Sequence, residues 1–429
     1  MRTFSIENFG CRASQADGAA IESLLKSSGL VPSPQPKTAE IIILNTCTVT
    51  AAADADARSA IRSAHRANPD AKILVTGCYA QREPEAIAAL PGVEWVVGNS
   101  HKDQIAHMLA GVPYHGGIYA SDIFQDTGIL TAPLIDSRID RARPNLKVQD
   151  GCNNRCSFCI IPFVRGRSRF VEADETVDQV RALSERYREV VLTGINLGRW
   201  GREPGSGLRL SDLLRRLLNE TEIDRIRLSS IEPMDWSDAL IDLMASTTRI
   251  ARHVHMPLQS GSDRILRRMH RKYRPRHYAD RLGRAHAAMP DAAIGADVMV
   301  GFPGETQAEF EETCAFIESL PFTYLHVFTY SERPETPAAG MPDAVPVAVR
   351  RERARVLREL GERRNREFRR RMLGGCLSAV TLEKPGLALT SNFLPVEVED
   401  WRHANRLIKV FPVALTPSGL RESAVLAVF

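Results

Sequence analysis

A chain of 429 residues with 44% hydrophobic side chains can build packed cores in about two to four domains. No apolar run reaches the ~18 residues of a membrane span, and Met1-Arg-Thr-Phe-Ser-Ile-Glu-Asn8 lacks the apolar region of a secretory signal, so a cytoplasmic protein with no membrane partner is expected. A net charge of +4 says nothing by itself about nucleic acid, but eight cysteines in such a compartment point to metal or catalysis before disulfides.

The first ~130 residues alternate strand and helix, which predicts a parallel α/β sheet. Strand candidates are Phe4–Phe9, Glu40–Leu44, Lys72–Thr76 and Val93–Val97, with a helical pattern at Ala19–Leu25. The first three strands run into Gly10-Cys11, Asn45-Thr46-Cys47 and Gly77-Cys78. Carboxyl ends of parallel strands line one edge of a sheet, where ligands collect, so thiols far apart in sequence can meet there. A free cysteine is also a serviceable small core residue. Three at equivalent strand ends, two of them after glycine, favour a shared site. Pro-rich Val31–Pro36 reads as a surface loop, and the turn-rich stretch from Gly111 to Arg143 as the place of a linker.

A short strand candidate, Leu146–Val148, then leads to Gly151-Cys152-Asn-Asn-Arg-Cys156-Ser-Phe-Cys159. Three thiols so spaced can converge on one iron–sulfur cluster. Electron-transfer clusters use four cysteines, and here no fourth follows before Cys314, which leaves one iron open to a bound molecule. A zinc knuckle with a distant fourth ligand is the alternative. Phe158 completes a C-x-x-x-C-x-aromatic-C pattern that resembles the radical S-adenosylmethionine (radical SAM) enzymes. In that superfamily the methionine part of SAM chelates the open iron, and one electron splits SAM into methionine and a 5′-deoxyadenosyl radical.

From Leu146 to about Pro337 the alternation continues through strand candidates Glu189–Thr193, Arg225–Ser229, His253–Met256, Ile294–Val300 and Tyr324–Thr329. Six βα units predict a partial (β/α)6 barrel of TIM type, with functional residues at the carboxyl ends of strands. Polar and glycine-rich motifs fall there: Leu192–Asn196, Ser229–Pro233, Pro257–Ser262 and Gly301–Thr306. Gly194, lacking a Cβ, is expected to let backbone approach the SAM amino group. Asn196, Ser230, Glu232, Gln259 and Asp297 are the remaining candidates for contacts to SAM.

Between Arg350 and Arg371 eleven arginines face four glutamates, with Leu357, Leu360, Phe368 and Met372 as an apolar stripe at helical spacing. The rest of this helix reads either as a solvated, partly paired surface or as a face for phosphates, which arginine forks match. Arg165, Arg167 and Arg169 add charge beside the cysteine loop. From about Gly375 short alternating strands follow at Ser378–Leu382, Leu394–Glu399 and Leu407–Pro412.

Taken together these parts resemble the methylthiotransferases of the radical SAM superfamily. Matching stretches are Asn45–Thr50, Gly77–Gln81, Cys159–Pro162, Val164–Arg167 and Pro257–Asp263. Ser229–Pro233 and Thr193–Gly198 look most like the branch acting on N6-threonylcarbamoyladenosine at tRNA position 37. The alternatives are isopentenyladenosine-37 in tRNA, a ribosomal-protein aspartate, or a non-catalytic zinc and RNA-binding protein. The resemblance implies two [4Fe-4S] clusters, one on Cys152, Cys156 and Cys159 and an auxiliary one on Cys11, Cys47 and Cys78, with SAM as cofactor. It also implies the tRNA anticodon loop, an electron donor protein and a sulfur source as partners. Cys314 and Cys376 are left over as structural residues. The expected domains are 1–128, a linker 129–145, a barrel with the basic helix 146–372, and a small RNA-binding (TRAM-like) β-barrel 373–429. One departure stands out: the family's Gly-Cys-Lys-x-Asn is here Gly10-Cys-Arg-Ala-Ser14.

Overall fold

The computed structural model describes residues 2–110, 115–125, 128–131, 142–202 and 206–422, so most of the expected linker lies outside the described residues. The N-terminal unit is a six-stranded parallel sheet in the order Val31–Pro32, Thr3–Asn8, Ile41–Thr46, Lys72–Gly77, Val93–Val97, Gly117–Tyr119. Ile41–Thr46 reads as an unbroken apolar run because both its faces are covered. Ile41 and Ile43 pack with Phe4, Ile21 and Trp95, while Ile42 and Leu44 pack with Ala57, Ile61 and Tyr79 on the other side. Helix Arg12–Ser27 supplies the first layer and helix Ala51–Ala67, capped by Thr50 on Ala53 N, the second.

Six parallel strands make the expected partial barrel, split into two sheets. Asn145–Asp150, Glu189–Gly194 and Arg225–Leu228 pair in one, with Arg169–Phe170 antiparallel at its edge. His253–His255, Ala293–Val300 and Tyr324–Thr329 form the other, and a parallel bridge from Ile226 to Ile250 links them.

The terminal domain is a six-stranded sheet in the order Leu407–Val410, Leu377–Thr381, Leu387–Thr390, Pro395–Glu397, Leu420–Glu422, Pro412–Leu415. It curls as a half-barrel around Ala379, Ala388, Val396, Val410 and Leu420, with Phe368 packed against them. Leu387–Thr390, Pro412–Leu415 and Leu420–Glu422 go beyond the expected strands, since runs of three or four residues carry little periodicity. Among the described residues no helix is long and apolar enough to cross a membrane.

Helix Val347–Arg371 buries Leu357, Leu360 and Phe368, as its stripe predicts. It lies between barrel and terminal sheet, and several arginines are spent on that docking. Arg353 is buried on Glu305 at 2.7 Å, and Arg369 donates to the carbonyls of Thr416 (2.7 Å) and Gly419 (3.1 Å). Arg363 pairs with Glu318 at 2.7 Å, and Arg364 donates to the same residue's carbonyl. The charged face is therefore narrower than the arginine count suggests.

The terminal domain closes the barrel floor. Glu189 receives Arg227 at 2.7 Å, Arg143 at 3.3 Å and Arg225 at 3.4 Å, and Arg227 continues to the carbonyls of Thr390 and Ser391. Burial alone would push the Glu189 carboxyl up; Arg227, with Arg143 and Arg225, more than offsets this and holds it at about 2. The carboxylate's contribution to stability is thus intact above the unfolded value of ~4.3 and lost as pH falls towards the folded value. Glu189→Ala strands two buried guanidinium groups and should cost about 3–5 kcal/mol. Glu189→Gln should flatten the acid limb of a plot of melting temperature against pH; an unchanged limb would count against this account.

Candidate functional site

The three strand-end cysteines of the first domain converge. Gly10 and Gly77 sit at φ +101° and +99°, and a Cβ would meet Cys47 Cβ at 2.6 Å in the first case and Thr46 O at 2.3 Å in the second. Only glycine allows so close an approach of neighbouring strand ends. Cys11 is exposed at the start of its helix, while Cys47 and Cys78 are buried. Burial and then the neighbouring Cys78 thiol push Cys47 up to about 12, with Cys11 adding to the effect. Ser14, the departure noted above, lies 3.7 Å from Cys11 Sγ.

The second set follows strand Asn145–Asp150. Cys156 accepts a hydrogen bond from Arg271 Nη1 at 3.2 Å, and Cys152 from Asn154 N at 3.4 Å, with Asn196 Nδ2 at 3.9 Å. Burial and the Cys156 thiol push Cys159 up to about 12; burial also raises Cys152. Arg271 is itself buried, pairing with Glu232 and lying over the Tyr273 ring. The two sets adjoin: Cys78 packs against Ile160, the residue after Cys159, and against Val164 one helical turn further on.

A cavity of about 240 Å³ opens beside Cys159, lined by Val49 and Thr50 of the first domain and by Phe158, Gln259, Asp297, Met299 and Phe328 of the barrel. Gln259 and Asp297 thus share one space with a cluster thiol. Asn196 and Glu232 lie instead on the Cys152 and Cys156 side. Ser230 is not among the lining residues; its hydroxyl meets His255 Nδ1, whose Nε2 is 3.4 Å from Asp297. The space a Cβ would take at Gly194 is filled by Gln149.

The loop that carries Cys47 is clamped to the barrel. Asp54 accepts from Arg333 at 2.7 Å and Arg82 at 3.0 Å, Arg333 also donates to Thr48 O at 2.9 Å, and Ala51 N donates to Ser331 Oγ at 3.1 Å. Sequence reasoning missed Arg271, Arg333 and Asp54, because nothing local marks a distant partner. Arg165 is a correction. Expected to add charge for phosphates, it is buried at 1% exposure among Asp17, Asp150 and Cys78. Cys314 is half-buried against the barrel core, whereas Cys376 is exposed.

The donor sets suit iron–sulfur clusters. N–H groups aimed at the sulfurs of Cys78, Cys152 and Cys156 stabilise thiolates there, the form in which cysteine ligates iron. Among the described residues no three His, Cys, Asp or Glu side chains lie close enough to share a single metal ion. A four-iron cluster makes no such demand, since each thiolate takes a separate iron.

The Radical SAM superfamily profile matches residues 146–317, and that of the uncharacterized protein family UPF0004 residues 3–98. A threonylcarbamoyladenosine tRNA methylthiotransferase (MtaB) of Aquifex aeolicus is 36% identical over 409 residues, covering 95% of this chain and 99% of that one. The chain belongs to the radical SAM methylthiotransferase family. The MtaB of Bacillus subtilis is 40% identical over 377 residues, covering 86% and 82%. A tRNA-2-methylthio-N(6)-dimethylallyladenosine synthase of Carboxydothermus hydrogenoformans is 33% identical over 366 residues, covering 84% and 83%. Among solved structures, the radical S-adenosylmethionine methyltransferase TsrM of Kitasatospora setae shares the fold, with a TM-score of 0.57 at 17% identity over 79% of this chain and 77% of that one.

In metal-free protein, Cys47 and Cys159 should alkylate slowly at pH 8, where a thiol at about 12 is ionised on the order of one part in ten thousand. Exposed Cys376 serves as the internal reference. Equal rates at all three, read by mass spectrometry of peptides, would contradict the environment described.

Proposed function

We propose that this protein converts N6-threonylcarbamoyladenosine at tRNA position 37 to its 2-methylthio derivative in the cytoplasm, drawing electrons from a donor protein and sulfur from a separate source. The observation that carries the reading is that two three-thiol sets adjoin through Cys78 and Ile160, next to a cavity that Cys159 lines and both domains wall. In this reading Cys152, Cys156 and Cys159 hold the cluster that binds SAM, and Cys11, Cys47 and Cys78 hold the second. When bound, these groups supply a carbon radical able to take hydrogen from an unactivated C2–H, together with sulfur and methyl, which no acid–base pair in the chain can do.

The chain's own residues bind, orient and exclude water. Arg271 and Asn196 steady the thiolates of Cys156 and Cys152 through N–H···S contacts. Gln259 and Asp297 offer amide and carboxylate groups to the polar parts of SAM inside the cavity. Phe328 and Val49, 47% exposed each, present apolar surface at its rim, and an aromatic face there suits a stacked base. An anticodon loop presents adenine unpaired, so no helix need be opened. Arg167 and, on the long helix, Arg351, Arg366 and Arg370 are exposed and remain for phosphates.

Mass spectrometry of tRNA nucleosides from cells lacking the protein tests the assignment: the 2-methylthio derivative of threonylcarbamoyladenosine should vanish while its precursor accumulates. Loss of methylthiolated isopentenyladenosine instead would move the protein to the sister activity, whose enzymes are also among its relatives. Replacing Cys11, Cys47 and Cys78 together by Ala should abolish transfer and spare SAM cleavage; full transfer by that variant would refute the auxiliary site. Charge reversal at Arg351, Arg366 and Arg370 should weaken tRNA binding and reduce its salt dependence, with SAM cleavage unchanged.

A further inference from the structure

Arg165 ends the short helix Ile161–Arg165 that follows Cys159, yet its side chain serves the other domain. Its Nε–H points at Cys78 Sγ at 3.2 Å. Nη1 donates to both carboxylate oxygens of Asp150 at 3.0 and 3.1 Å, and Nη2 to Asp17 at 2.9 Å and Ser14 Oγ at 3.3 Å. All three nitrogens of the fork are therefore engaged, each in a different direction. Lys102 meets Asp17 at 2.8 Å, and Lys147 meets Asp17 and, at 2.8 Å, Asp150. These five side chains are all buried, and three cations against two carboxylates leave one positive charge in the seam beside Cys78. Asn99 Nδ2 is a second donor to the same sulfur at 3.6 Å.

We propose that Arg165 is a positioning residue for the auxiliary cluster: it orients the Cys78 sulfur and, with the seam's excess positive charge, raises that cluster's reduction potential. Reduction adds negative charge to a cluster and its thiolates. N–H···S bonds and nearby cations stabilise that charge, and both levers are known to set iron–sulfur potentials. Lysine would keep the charge but, as a single point, lose the planar fork that reaches Cys78, Asp150 and Asp17 at once. Ser14 takes part as well, standing between Arg165 and Cys11 where the family pattern has asparagine.

The proposal rests on reading Cys11, Cys47 and Cys78 as cluster ligands. The test uses the full chain with Cys152, Cys156 and Cys159 replaced by Ala, so that any iron reports on the first domain alone. In that background Arg165→Gln should shift the midpoint potential to a lower value in a redox titration followed by EPR, and Arg165→Lys should restore part of the shift. Should Arg165→Gln fail to hold iron, Arg165→Lys decides, since it keeps a cation beside Cys78 without the fork; it should hold iron at a potential below that of the parent. Iron bound with an unchanged potential in every variant that holds it would overturn the role of Arg165 and leave the cluster assignment standing. A parent that binds no iron would overturn the assignment itself.

Discussion

Five charged groups buried in one seam decide where the N-terminal sheet sits on the barrel. Asp17 comes from the first helix, Lys102 from the short turn of helix Asn99–Gln104 in the same domain, and Lys147, Asp150 and Arg165 from the barrel strand and helix that flank the cysteine loop. Burial would push the Asp17 carboxyl up, but Lys102, Lys147 and Arg165 more than offset it and hold it well below the ordinary range. Such a seam adds little net stability, because desolvation consumes most of what the attractions return. Its contribution here is register. A slid or rotated domain would leave at least one of these charges buried without its partner, so a single docking is strongly preferred, and with it a single arrangement of two sets of thiols.

How far this was readable from residues depends on range. The αβ alternation, the six barrel strands and the convergence of Cys11, Cys47 and Cys78 all follow from short-range pattern plus the rule that ligands collect at strand carboxyl ends. Gly10 and Gly77 were visible as glycines before cysteines, and the structure supplies the reason in Cβ distances. What the pattern could not convey was which arginine meets which carboxylate. Arg165, in a run of basic residues, looks like a phosphate contact, and only tertiary structure places Asp17, some 150 positions away, against it. Arg333 and Asp54, separated by 279 residues, were illegible for the same reason.

The arginine-rich helix teaches a related lesson about charge. Local composition counts cations, but packing on two sides decides which of them face water. Arg353 and Arg369 fasten the helix to barrel and terminal sheet, Arg350 lies over the Tyr330 ring, and Arg355 is held between Glu352 and Glu359. A positive surface survives as scattered single residues. That is enough to orient a polyanion but less than a stripe of eleven.

The closed floor of the barrel sets the order of traffic. His253 stacks on Phe393 at 4.3 Å, and Arg227 reaches the backbone of the terminal domain just beneath. The cavity beside Cys159 is left with a mouth at Val49 and Phe328, each half exposed. Were the proposed polymer to rest on that rim it would be a lid as well as a reactant, and a small cofactor would have to be loaded ahead of it.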